Sequence, residues 1–407
     1  EPLVPTLPTP GQITETKTGQ HFGATVFTLS NGIKVVLKPT EFKKDEIIMT
    51  ATSPGGSTLF GTKDIDNLKV FNDVIEIGGL GNFSATDLSK RLAGKKVSCA
   101  LSLSQDSENV NGMAAPSDLR TLFELIYLSF TAPRMDEEAY ASFETRTKAQ
   151  LQNMELNPMV AFSDSLSKAD FEHISYPRIM EMRKERFSDA SGFVFTFVGN
   201  IQIDSIRPYI EQYLATLPSQ GKIEKGNPAE VPSMRKGDYM NRFNRSMEIP
   251  KVTVANLYTG QMEYNLENII TATALKQVMD LVYYEKVREK EGGTYGVGVS
   301  ARISPFPVGR TTLQIFFDTD PAKWEQMNTI VRNELKRLSE VGPRQEDFKK
   351  TQDNLYWLNV LDDYYYKGFD TDTDYESIVK ALTPEKIKAF AQKLLGQGNR
   401  VEVIMQP

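Results

Sequence analysis

The sequence predicts an α+β protein made of two tandem, homologous domains, each a sheet packed by helices. Three observations lead there. The 407 residues exceed what one hydrophobic core organises and fit about two domains of roughly 200 residues. Stretches of alternating polarity are interleaved with stretches of helical period along the whole length. The order of those stretches in the first half then recurs in the second, with the same loop letters at the same place: Pro133-Arg134 and Pro343-Arg344 each open a long helix. Any two α+β domains share some rhythm, but shared loop letters favour duplication of one unit.

In chain order, residues 1–20 carry four prolines in the first ten positions and read as an extended, semi-rigid linker. Such an opening, without an initiator Met, fits a mature terminus, an expression fragment or a piece of a longer chain. A domain over 21–217 follows. Asn31-Gly32 between two β-rich runs (24–39) is a strong hairpin signal, because both turn positions need positive φ. Residues 46–53 read as a third strand. A helix over about 64–77 has Ile65, Leu68, Phe71, Val74 and Ile75 at helical spacing, and Gly78-Gly79 ends it. A short helix (85–93) stops at Gly94. Val97, Cys99, Leu101 and Leu103 alternate as a half-buried strand, with a partner near 107–114. Pro116 suits the first turn of a helix to about 130, and Asp136 starts another to about 156. A strand over 193–198 and a helix over 204–217 close the domain.

Residues 218–234, polar and rich in Pro and Gly, read as the inter-domain linker, and 235–407 as the second domain. There 252–260 answers the third strand, 263–288 the first helix, and the strands 294–302 and 311–317 the pair 97–114.

Composition excludes several functions. Lys plus Arg number 47 against 53 Asp plus Glu, a net charge of -6, and no basic tract is present to track nucleic-acid phosphates. No run of about 18 apolar residues could span a bilayer, and the proline-rich start is no signal peptide. The chain reads as a soluble protein without nucleic-acid partners. Cys99 is the single cysteine, mid-strand, where an inert buried thiol is expected. No G-x-S-x-G elbow occurs. His21 and His173 are the only histidines, neither with a second His one turn away, and read as a hairpin-edge and a helix-end residue. GGTYGVG (292–298) and GGLG (78–81) lack the spacing of a phosphate cradle. Asp370, Asp372 and Asp374 begin like a calcium loop, but Tyr375 and Ala381 stand where Gly and the bidentate Glu belong, so a solvated acidic loop is expected.

Together the LSNGIKVVL hairpin, the SPGGS loop, the duplication and VREKEGGTYGVGV (287–299) resemble the pitrilysin and insulin-degrading-enzyme family of zinc metallopeptidases, over nearly the whole chain. The resemblance implies the mitochondrial-processing-peptidase-like metallohydrolase fold, with mainly antiparallel sheets. Active members carry an H-x-x-E-H helix whose two His hold zinc while the Glu acts as general base. At that place this chain reads Lys69-Val70-Phe71-Asn72-Asp73. A charged Lys69 has no lone pair for zinc, and Asn72 is too weak a base to activate water. Lys69 and Asp73, four apart, are instead spaced for an ion pair with each other. The family's third ligand, a Glu, aligns with Gln150. No metal is therefore expected in this chain.

What the resemblance retains is Arg288 and Tyr295, flanking Gly292-Gly293. In the family this pair reaches from the C-terminal half to the active site of the other half, where guanidinium and phenol can hold a scissile carbonyl and its oxyanion. On spacing alone, Arg288 capping a helix end and Tyr295 packing on the sheet would account for them. In the strand that follows, Tyr295, Val297 and Val299 share one face, and Gly296, Gly298 and Ser300 the other. The resemblance thus implies the non-catalytic C-terminal half of a zinc peptidase, partnered by an N-terminal zinc-bearing half and enclosing peptide substrates. It also implies a periplasmic setting, the cytoplasm staying open. The alternatives are a separately encoded non-catalytic partner or scaffold subunit, and a peptide-binding protein without a protease role.

Overall fold

A computed structural model describes residues 2–20, 23–41, 43–154, 166–289, 296–362 and 373–407. The chain forms two compact units and crosses from the first to the second between Val231 and Pro232.

The first unit contains β1 (Ile13–Lys17), β2 (Thr25–Leu29), β3 (Lys34–Pro39), β4 (Ile47–Pro54), α1 (Ile65–Val74), α2 (Ala85–Leu92), β5 (Val97–Leu103), β6 (Ser107–Ala114), α3 (Leu119–Thr131), α4 (Glu137–Met154), α5 (Tyr176–Phe187), β7 (Val194–Gly199) and α6 (Ile203–Tyr209). Its sheet runs β1-β2-β3-β7-β4-β6-β5, with β5 outermost at one end. Among the described residues of this sheet only β3 and β7 pair in parallel, Val35 opposite Phe195. The Asn31-Gly32 hairpin is present, Gly32 at φ 87, a conformation that favours glycine. Phe27, Val35, Leu37, Met49, Phe195 and Phe197 line the inner face of the sheet, and Val70, Phe71, Leu122, Phe123 and Ile126 close the core from the helices. Phe123 stacks on Phe197 with ring centres 5.3 Å apart.

In the second unit come β8 (Asp238–Asn244), β9 (Val252–Gln261), α7 (Leu266–Tyr283), β10 (Val297–Ser304), β11 (Arg310–Thr319), α8 (Trp324–Val341), α9 (Gln345–Asp362), α10 (Thr373–Lys380), α11 (Pro384–Gly396) and β12 (Asn399–Gln406). The order β8-β12-β9-β11-β10 copies β3-β7-β4-β6-β5 strand for strand, including one parallel pair at the same place, β8 with β12. The repeated Pro-Arg loops also do the same work. Arg134 donates to the carbonyl of Gly78, just past α1, and to Asp136 at the start of α4. Arg344 pairs with Glu285, just past α7, and with Asp347 at the start of α9. In each unit one guanidinium ties the long helix to the end of the first helix.

Some readings change. Residues 1–20 are not a free linker: β1 extends the sheet, Leu3 and Val4 are buried, and the N–H of Val4 donates to Glu124 at 2.9 Å. An extended proline-rich segment still has backbone donors, and here protein groups satisfy them. Residues 218–231 are irregular but pinned to the first unit. The Lys222 N–H donates to Asp189, the Asn227 N–H donates to Thr58, and Glu224 pairs with Arg186. Of the acidic run, Asp374 lies in α10 rather than in a loop, and Asp370 and Asp372 lie outside the described residues.

Candidate functional site

α1 carries the positions where the motif would lie. It buries Asn67, Val70, Phe71 and Val74, so Lys69, Asn72 and Asp73 fall toward its outer side. Its start is fixed by a buried polar network. Arg178 of α5 grips Asp64 with two hydrogen bonds of 3.0 and 2.9 Å and holds that carboxyl below its usual range. Asn67 donates to Asp64 and accepts from the N–H of Ser175, which caps α5.

Lys69 does not pair with Asp73. Its ammonium lies 3.2 Å from Asp66 and 3.1 Å from Asp170, and its side chain is only 13% exposed. The i, i+4 spacing made Asp73 available, but a carboxylate 101 positions later, delivered by the short turn Ala169–Glu172, takes the better geometry. Burial raises the Asp170 carboxyl, but the Ser167 N–H and the Lys69 ammonium outweigh that and hold it low. His173, exposed at the end of the same turn, stands 3.3 Å from Asp66 through Nδ1, as a helix-end histidine would. A cation is thus held between two carboxylates at the position where the resemblance would put a metal ligand.

Asn72, where the resemblance would put the base, is bound to backbone. Its amide nitrogen donates to the carbonyl of Leu103 at 3.2 Å, and its oxygen accepts from the Leu103 N–H at 2.7 Å. Glu76, one turn on, accepts from the N–H of Leu101 at 3.1 Å. Burial pushes the Glu76 carboxyl above its ordinary range despite that bond and the nearby Arg183. Asp73 and Gln150 are both exposed, Gln150 on α4. The turn that supplies Asp170 to Lys69 also sets Phe171 under Lys148 of α4, 5.3 Å from the ring centre. Cys99 on β5 is half-buried rather than fully buried, and desolvation of its sulfur raises the thiol well above its ordinary value.

On the other half of the expected site, the backbone of Arg288 belongs to the turn Tyr284–Glu289 that continues α7. The Arg288 side chain, Gly292-Gly293 and Tyr295 lie outside the described residues, as does His21. Of the strand that follows, Val299 is buried while Gly298 and Ser300 are exposed, the alternation expected of that segment.

Asp66, Asp170 and Glu76 were not singled out from sequence. Asp66, three before Lys69, was the one readable partner. Among the described residues, no three His, Cys, Asp or Glu side chains are grouped to hold a metal ion, and no helix is long and apolar enough to cross a membrane.

Residues 173–355 match the family model of the peptidase M16 inactive domain. A zinc protease PQQL-like protein of Arabidopsis thaliana is 23% identical, the match covering 97% of this chain and 44% of that protein. A probable zinc protease PqqL of Haemophilus influenzae is 21% identical over 93% of this chain and 43% of its own length. The chain therefore spans less than half of the curated relatives it matches. Among solved structures, the periplasmic protease PqqL of Escherichia coli superposes with a TM-score of 0.80 at 17% identity, covering all of this chain and 48% of that one. A peptidase M16 inactive domain from Pseudomonas fluorescens gives 0.72 at 15% identity, over 94% of this chain and 98% of that one. The first half of the Escherichia coli protein alone gives 0.69 at 13% identity, over 98% of this chain and 93% of that one. The first half of such a protein thus shares this fold.

Proposed function

This chain carries the inactive domain of the M16 peptidases and is an inactive half of the zinc-protease-like kind; from that premise we propose that it closes over a zinc-bearing N-terminal half and encloses peptide substrate. Arg288 and Tyr295 would supply donors to the scissile carbonyl, while the other half binds zinc and activates water. The observation that carries this reading is Lys69. A salt-bridged ammonium in a ligand slot repels a cation and has no lone pair to give it. The test is made in the complete two-half protein. Arg288→Ala and Tyr295→Phe are expected to lower kcat by about 10²–10³-fold with zinc content unchanged. Unchanged turnover would make the pair structural and leave a peptide-binding role without a part in proteolysis.

A second reading is a separately encoded partner or scaffold subunit. The reading frame upstream of Glu1 separates the two: coding that continues into an H-x-x-E-H domain supports the first, and a start signal just before Glu1 the second. By likeness to the Escherichia coli protein we assign the chain to the periplasm, and fractionation with a cytoplasmic marker tests that.

A further inference from the structure

β5 is the last strand of the first unit's sheet, so one row of its peptide groups faces away from β6. Such an edge is a template for another strand, and an extended peptide can add to it. Here α1 and the turn after it already stand on that row. Asn72 meets both the N–H and the C=O of Leu103, the pairing that the residue opposite would make in an antiparallel ladder. Glu76 takes the N–H of Leu101. The spacings agree: four helical residues advance about 6 Å and two strand residues about 6.8 Å, so side chains at 72 and 76 fall in step with 103 and 101. Beyond Leu103, the Ser57 N–H of the SPGGS loop donates to the carbonyl of Ser104. The side chains of Leu101 and Leu103 are buried, which holds the strand flush against the unit.

We propose that Asn72 and Glu76 act as a built-in substitute for the next strand, closing this edge of the first unit to extended peptides. The chemistry of the slot explains why Asn serves. A carboxamide offers a donor and an acceptor side by side, whereas the ionised Glu of the H-x-x-E-H pattern would accept from the Leu103 N–H but repel the Leu103 carbonyl. The replacement that removes a base therefore also supplies the donor that the closure needs. This rests on the first unit alone and does not depend on the roles proposed for Arg288 and Tyr295.

Backbone amide exchange on the labelled chain, with and without a synthetic peptide of alternating valine and threonine, tests it. In the unaltered chain the Leu101 and Leu103 amides should be protected and the peptide should shift no resonance over 99–103. Asn72→Ala with Glu76→Ala should speed exchange at both amides by about tenfold and let the peptide shift that stretch. Asn72→Leu, of similar size but with no acceptor or donor, keeps the proposal testable if the double variant does not fold: Leu103 should exchange faster while Leu101 stays protected. Peptide shifts over 99–103 in the unaltered chain, or equal Leu103 exchange in Asn72→Leu, would overturn it. So would a folded double variant that takes no peptide, because something other than these two side chains would then be excluding the strand.

Discussion

The two units share five strands in one order but fill the centre of the sheet differently. In the first, β7 contributes Phe195 and Phe197, both fully buried, and Phe123 of α3 stacks on the latter. In the second, the equivalent β12 turns Arg400 and Glu402 inward, 2.8 Å apart, joined to Asn256 of β9, Asn328 of α8 and, at the surface, Asp238 of β8. The first unit's polar groups sit instead on α1, tying that helix to Asp170 and to the edge of β5. The duplicated scaffold thus tolerates either an apolar or an ionic centre, provided each buried polar group finds its partner.

The largest expected effect breaks that comparison directly. Phe197→Ala opens a cavity and should cost about 3–5 kcal/mol, and Glu402→Ala, which leaves the Arg400 guanidinium its bonds to Asp238 and Asn256, should cost about 1–3 kcal/mol. Denaturant unfolding at several pH values tells them apart. Burial raises the Glu402 carboxyl, but Asn328 and Arg400 hold it below its ordinary range. A depressed acid stabilises above its unfolded value, and that stability is lost as pH falls through the folded one. The Glu402→Ala penalty should therefore shrink on acidification, and the Phe197→Ala penalty should not.

A smaller effect probes the shared loop. Arg134→Ala removes bonds to Gly78 and Asp136 and should cost roughly 1–2 kcal/mol by thermal unfolding. Arg344→Ala, whose side chain is 45% exposed, should cost less than about 1 kcal/mol. The smallest effect is Glu76→Gln, which keeps an acceptor for Leu101. Because burial raises the Glu76 carboxyl, ionising it costs stability as pH rises through its unfolded and folded values. The variant should match the native chain at low pH and exceed it at neutral pH, by at most about 1 kcal/mol.

Local signals made much of the fold legible. The Asn31-Gly32 turn, the alternation of 97–103 and the two Pro-Arg loops are all decided by neighbours in sequence, and each stands where it was read. What was missed depends on distant contacts. α5 escaped because the buried Arg183, bonded to the carbonyls of Ile75 and Ser129, interrupts the apolar face of the helix. β12 escaped because Arg400 and Glu402, read locally, belong on the solvent side. β8 shows mostly exposed residues and has no alternation to read. What the side chains of Lys69 and Asn72 hold was not legible, since Asp170 reaches Lys69 and Leu103 reaches Asn72 only through the fold.

Metal analysis of the purified chain, alone and together with a zinc-bearing half, bears most directly on the central claim. The chain alone should retain no tightly held zinc and cleave no peptide, and zinc should follow the other half. One tightly bound zinc per chain, retained after dialysis against a weak chelator and accompanied by peptide cleavage, would contradict it.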